Sequence, residues 1–265
     1  MKIISALMLL FVFSLPGHAQ GTQRELESHL LHKPLLLRGL YGGNRLAFDS
    51  QGHALSAYPH APFTLSGLDI KKVKVQGNTA EIEAERVGLC YDAKAGRFAR
   101  VSVGKNNLRI SVDLAGVTDW DALMDRIFTN SPASFGADLP DYWKAFYHLP
   151  LSADTEPQVE KMNDPKSSTF KANLAAVTPP RLRSQPEPEF SEEARRVQFS
   201  RICMIKMIVD SSGVPRNLAI EQPVGLGLDE KAVEAVSKYR FTPAMKDGQP
   251  VAVVLKVEVD FHIGN

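Results

Sequence analysis

The stretch RICMIKMIVDSSGVPRNLAIE, residues 201–221, decides the fold of the carboxy-terminal part of the chain. Cys203, Ile205, Met207 and Val209 fall on alternate positions. Successive side chains of a strand point to opposite faces, so residues 201–210 read as a strand with one apolar side. Ser211, Ser212 and Gly213 make a tight turn, and residues 214–221 return as the partner strand, with Val214, Leu218 and Ile220 together. Upstream, Pro186 to Phe190 lead into Ser191, a good N-cap for a short helix over 192–198 that turns Ala194 and Val197 inward. Downstream, Asp229 is placed to cap a helix ending at residue 238, in which Ala232, Val233, Val236 and Tyr239 recur at helical spacing. Pro243 stops it. The last predicted strand, 251–261, sets Val251, Val253, Leu255, Val257, Val259 and Phe261 against Lys256, Glu258 and Asp260. Residues 185–265 are thus expected to be a small α+β domain of order helix, strand, strand, helix, strand.

Residues 151–184 hold Asp154, Pro157, Asp164, Pro165, Pro179 and Pro180 without a sustained apolar period, which predicts a linker. Residues 35–150 return to period two. Val73 and Val75 alternate with lysines, Ala80, Ile82 and Ala84 with glutamates, and Leu108, Ile110, Val112 and Leu114 with polar residues. Turn signals fall at 42–44, 50–52, 77–78 and 104–107. Helices are predicted over 119–128 and 141–148, so this region reads as an antiparallel β-rich domain closed by helices. The chain as a whole is expected to be α+β.

The first 19 residues have the form of an export signal. Lys2 supplies a positive charge, residues 3–15 are an uncharged and almost wholly apolar run, and Gly17 to Ala19 place small residues before Gln20. A retained inner-membrane anchor is the competing reading, but a spanning helix needs roughly 20 apolar residues and Pro16 interrupts this run. The expected location is the periplasm, with residues 20–34 as a short lead into the first strand. The whole chain has 31 Lys+Arg against 30 Asp+Glu. That balance argues against a nucleic-acid binder, which carries a basic stripe. With 44% hydrophobic residues, global disorder is excluded.

The segment from about 178 to 265 resembles the TonB C-terminal domain family. The resemblance rests on the Pro188 to Phe190 approach, the Glu193-Ala194-Arg195 helix, the Asp210-Ser-Ser-Gly213 hairpin and Leu228-Asp229-Glu230 before an Ala/Val-rich helix. It continues with residues 238–244, residues 247–251 and the closing strand ending in Phe261. Tyr239 stands where the family usually has Trp, and Arg201 where Gly commonly opens the first strand. The family's energy transducers carry an uncleaved membrane helix and a long Pro-rich spacer; this chain has a shorter linker and an added β domain. The resemblance implies binding of the short box of an outer-membrane TonB-dependent receptor, or another envelope protein, as an added strand. The implied contact residues are Pro188, Glu189 and Phe190 with Val251, Val253, Leu255, Val257, Val259 and Phe261. Homodimerisation through the same strand is a further arrangement, and a covered strand that binds nothing is the competing reading.

Catalytic chemistry has no motif here. His29 and His32 lack a third ligand at metal-binding spacing, and Asp119, Asp121 and Asp125 suit the first turn of a helix. Neither a nucleophile elbow nor a P-loop is present. Cys90 and Cys203 lie in strand patterns of different predicted domains and read as buried thiols. No cofactor, metal or catalytic residue is expected. The predicted function is docking of a partner in TonB-dependent transport; the alternative is a periplasmic ligand-binding or sensory module whose working part is the β domain.

Overall fold

The computed structural model describes residues 16–151, 170–171 and 177–263. The apolar run of the predicted signal and most of the predicted linker lie outside the described residues.

Upstream, six strands form one sheet: β1 Leu35–Leu37, β2 Arg45–Phe48, β3 Gly67–Gln76, β4 Thr79–Asp92, β5 Arg97–Asp113 and β6 Phe128–Thr129, in the order β2-β5-β4-β3-β1-β6. The pairing is antiparallel except between β2 and β5, which run parallel. The alternation expected of this region is observed. Ala80, Ile82, Ala84, Leu108, Ile110 and Val112 are buried on one face, under helix α1, Pro16–Leu30, and helix α2, Trp120–Ile127. Asp119 caps α2 by accepting the Ala122 N–H at 2.9 Å. Helix α1 takes in most of the predicted lead segment, because Leu26 and Leu30, one turn apart, both sink fully into this core. Burying each contributes about 1.5–3 kcal/mol.

Residues 104–107 are not a turn. They lie inside β5, opposite a register shift in which Glu85 pairs Asn107 and Val87 pairs Ser102. Gly104, at φ +84, absorbs the resulting bulge. A bulge and a turn need the same residues, which is why the sequence signal misled.

Downstream, β10 Arg201–Val209, β11 Pro215–Gln222 and β15 Val253–Phe261 form the main sheet, in the order β11-β10-β15, with the short β7 Phe170–Lys171 beside β15. Helix α5, Leu228–Ser237, follows β11. Cys203, Ile205, Met207 and Val209 are all fully buried, as their period requires. The short helix α4, Glu192–Arg196, is capped by Ser191, whose hydroxyl accepts the Ala194 N–H at 3.1 Å. It ends before Val197, so Val197 is exposed rather than inward. The residue before α5 is Gly227, at φ +78, and not Asp229. The strand predicted over 251–261 is broken at Ala252. Val251 ends β14 Gln249–Val251, which pairs β13 Ala244–Lys246. With β7, two further strands fall inside the predicted linker, three in all among the described residues: β8 Val177–Thr178 pairs β13, and β9 Arg181–Ser184 pairs β12 Arg240–Thr242.

The two halves share a core. Leu36, Leu40, Phe63, Leu89, Val103, Phe135, Leu139 and Trp143 of the upstream half pack into the same apolar cluster as β10, α5 and β15. Trp143 lies in helix α3, Asp141–Phe146, which packs along β11.

Candidate partner-binding site

Strand β15 is held on one edge by β10 over its whole length, from Val253↔Val209 to Phe261↔Arg201, without a register shift. On its other edge, among the described residues, β7 pairs only Val253 and Val254, in parallel. Among the described residues nothing pairs the rest of that edge, the condition under which another strand can be added. The predicted contact side chains serve mostly to seat the strand. Val253, Val259 and Phe261 are buried in the shared core, while Leu255 and Val257 are half-buried against it. Val251 lies apart from this edge, on β14. Along the opposite face Lys256, Glu258 and Asp260 are exposed, and Lys256 Nζ pairs Glu221 Oε1 at 2.6 Å. Charged residues on an edge strand limit indiscriminate pairing.

The approach segment is brought to the far end of the same strand. The Phe190 ring meets Phe261 edge-to-face at 5.5 Å, and the Arg195 guanidinium sits 5.3 Å above Phe190. Glu189 Oε2 accepts from Lys231 Nζ at 2.7 Å, which fixes the segment to α5. Pro188 is half-buried.

Beyond the end of β11, on the other side of the sheet from this edge, lies a polar seam between the halves that the sequence reading missed. Residues 89–91 and 224–226 meet as a short ladder: the Tyr91 N–H donates to Val224 O at 2.9 Å and the Leu226 N–H to Leu89 O at 3.0 Å. Asp229, fully buried, accepts the Val224 and Gly225 N–H groups, each at 2.8 Å. Glu230 Oε1 accepts from Trp143 Nε1 at 2.7 Å and from the Phe63 N–H at 3.0 Å. The Gly227 N–H donates to Thr64 Oγ1 at 2.8 Å, and Arg196 Nη1 to Val103 O at 2.7 Å. The sequence did hold one signal for this seam. Val87, Gly88, Leu89 and Cys90 break the alternation of β4 with a continuous apolar run, the mark of a strand covered on both faces.

Burial pushes the Asp229 carboxyl up to about 7, aided by the charge of neighbouring Glu230, and burial raises Glu230 as well. A carboxyl whose folded value exceeds its unfolded one binds a proton on folding in the interval between them. Its favourable contribution is therefore complete below the usual value of 3.8 and is lost as pH rises through about 7. Asp210 has the opposite sign. Its hydrogen bonds to Ser212, Val214 and Arg216 outweigh its partial burial and hold it below the ordinary carboxylate value. Its contribution fades as pH falls towards and below that range. The urea midpoint is expected to be higher at about pH 5 than at about pH 8. Asp229→Asn should flatten that difference; an unchanged slope would show that the seam does not titrate.

The other sequence candidates fall elsewhere. His29 reaches α2, with Nδ1 2.8 Å from Asp121 Oδ1 and Nε2 3.4 Å from Asp125 Oδ1, so these residues clamp two helices together. No group of three or more metal-ligating side chains is placed to hold an ion among the described residues. Cys90 and Cys203 are free thiols. Burial pushes Cys90 up to about 11 and Cys203 well above its ordinary value, which makes both poor nucleophiles.

Residues 186–263 match the family described as Gram-negative bacterial TonB protein C-terminal. This segment is a TonB C-terminal domain; the six-stranded sheet ahead of it lies outside the match. Among solved structures, the chain is similar to the solution NMR structure of the Pseudomonas aeruginosa TonB C-terminal domain. The identity is 11%, over 36% of this chain and 96% of that one, with a TM-score of 0.26. No curated protein matches the chain. Among the described residues no helix is long and apolar enough to cross a membrane.

Proposed function

We propose that this is an exported protein whose TonB C-terminal domain captures an extended segment of an envelope protein along the outer edge of β15. A TonB-dependent receptor of the outer membrane is the partner that best suits this mode, in the service of transport across that membrane. The observation that carries the reading is the backbone beyond Val254, which among the described residues has no strand beside it, on a strand whose other edge is fully engaged. The guest would add backbone hydrogen bonds to this edge, and Pro188 to Phe190 would border it near Phe261. The N-terminal sheet, in this reading, braces the domain through the shared core and does not replace its role.

Proline substitution tests the mode, because proline removes a ladder donor. Along a strand consecutive N–H groups alternate between the two edges. Of Lys256→Pro and Val257→Pro, one therefore cuts the bond to β10 and the other removes an outward donor. The outward variant is expected to keep its circular dichroism and to lose capture of its partner in envelope crosslinking followed by pull-down. Full capture by that folded variant would reject strand addition.

A further inference from the structure

Between the N-terminal sheet and the TonB domain is an open cleft of about 710 Å³, walled by the 42–44 turn, the 59–62 loop and β4 on one side and by residues 189–193 on the other. Arg86 lines it and is only 6% exposed. Its Nη2 donates to Tyr41 O at 2.7 Å and Gly43 O at 3.1 Å. Its Nη1 is shielded and has no partner among the described residues. The one charge that acts appreciably on it is Glu193, and the pair does not come within ion-pair distance. A guanidinium cannot shed its proton, so this buried positive charge has no counterion at ion-pair distance among the described residues. Buried charges persist when something pairs them.

The rim carries the opposite sign. Glu192 is exposed and Glu193 half-buried, and neither enters an ion pair among the described residues. Lys231, also at the rim, is already held by Glu189 at 2.7 Å and Glu234 at 3.6 Å. Among the described residues the cleft therefore has a cation without an ion-pair partner inside and two carboxylates without one at its mouth. A simple anion would leave the rim unanswered, a polyanion would be repelled by it, and a cation would leave Arg86 unpaired.

We propose that the cleft binds a small zwitterion, a free amino acid or short peptide, with its carboxylate on Arg86 and its ammonium group towards Glu192 and Glu193. The volume falls in the range usual for small-molecule sites. Nothing in this assignment depends on strand capture at β15, so either can fail without the other.

Saturation-transfer NMR and calorimetry on the full chain test it, with the free amino acids and alanyl-alanine as probes up to about 10 mM. At least one probe is expected to bind saturably, and amidating its carboxylate should weaken it by about tenfold or more, the loss of a hydrogen bond to a charged group. Arg86→Gln should abolish binding, although it also unties the turn at Gly43. The independent variant is Glu192→Gln with Glu193→Gln, on the rim, which should weaken the free probe several-fold while leaving its N-acetyl form unchanged. The assignment is overturned if no probe saturates. It is also overturned if the amide binds as well as the acid, or if the rim variant leaves the affinity intact.

Discussion

Trp143→Ala should lower the stability of the whole chain by about 4 kcal/mol, a large share of the 5–15 kcal/mol typical of a folded protein. The side chain is fully buried. Its ring packs against Phe63 at 4.9 Å, Phe146 at 5.9 Å and Phe98 at 6.0 Å. Truncation leaves a cavity between the upstream sheet and the TonB domain, and it also takes from Glu230 its donor at 2.7 Å. Glu230 would then keep the Phe63 N–H on one oxygen, while its other oxygen already lacks a partner among the described residues. Trp143→Phe separates the two causes. It retains much of the ring packing and removes the N–H, so a loss of about 1–3 kcal/mol is expected from the hydrogen bond alone. Urea unfolding followed by tryptophan-independent circular dichroism measures both. A loss under about 1 kcal/mol for the alanine variant would mean that the halves do not depend on this contact.

Gly225→Ala is the second large effect. The backbone at Gly225 has φ +109, a conformation that side-chain-bearing residues rarely adopt. A Cβ there would overlap Leu89 O and approach Cys90 Cα to 2.8 Å, and both are backbone atoms that cannot swing aside. Relief requires parting the 89–91 and 224–226 segments. That breaks the bonds from Tyr91 N–H and Leu226 N–H and disturbs the Gly225 N–H bond to Asp229. Backbone strain and lost hydrogen bonds together should exceed about 3 kcal/mol and lower Tm by roughly 10 °C. Differential scanning calorimetry checks it. A Tm within a degree or two of the parent would show that the two segments tolerate separation.

The secondary structure of the TonB domain could be read directly because each of its apolar periods faces a single core. Cys203, Ile205, Met207 and Val209 satisfy one surface, and the helix and last strand close over it. What escaped the reading was whatever is stabilised by contact between the halves or by backbone pairing alone. Arg181–Ser184 is exposed throughout and has no hydrophobic rhythm, so its pairing with Arg240–Thr242 is what makes it a strand. Asp229 looks like a helix cap, yet it turns back to two loop amides in a buried seam, a use that residue type and spacing do not distinguish from capping. Of the residues expected on the last strand, Val253, Leu255, Val257, Val259 and Phe261 lie in β15, while Val251 lies in β14. The cleft around Arg86 gave no local pattern at all, because its walls come from segments more than a hundred residues apart.

The two-residue pairing of β7 at the beginning of β15 has a geometric corollary. It acts as a doorstop. For the proposed strand capture, positions 255–261 are what the described residues leave to lie against, seven residues or roughly 23 Å of extended backbone. Longer sequences would have to peel away at one end, so the length of the recognition box, and the frame in which it settles, would be dictated by the host before any side chain is consulted.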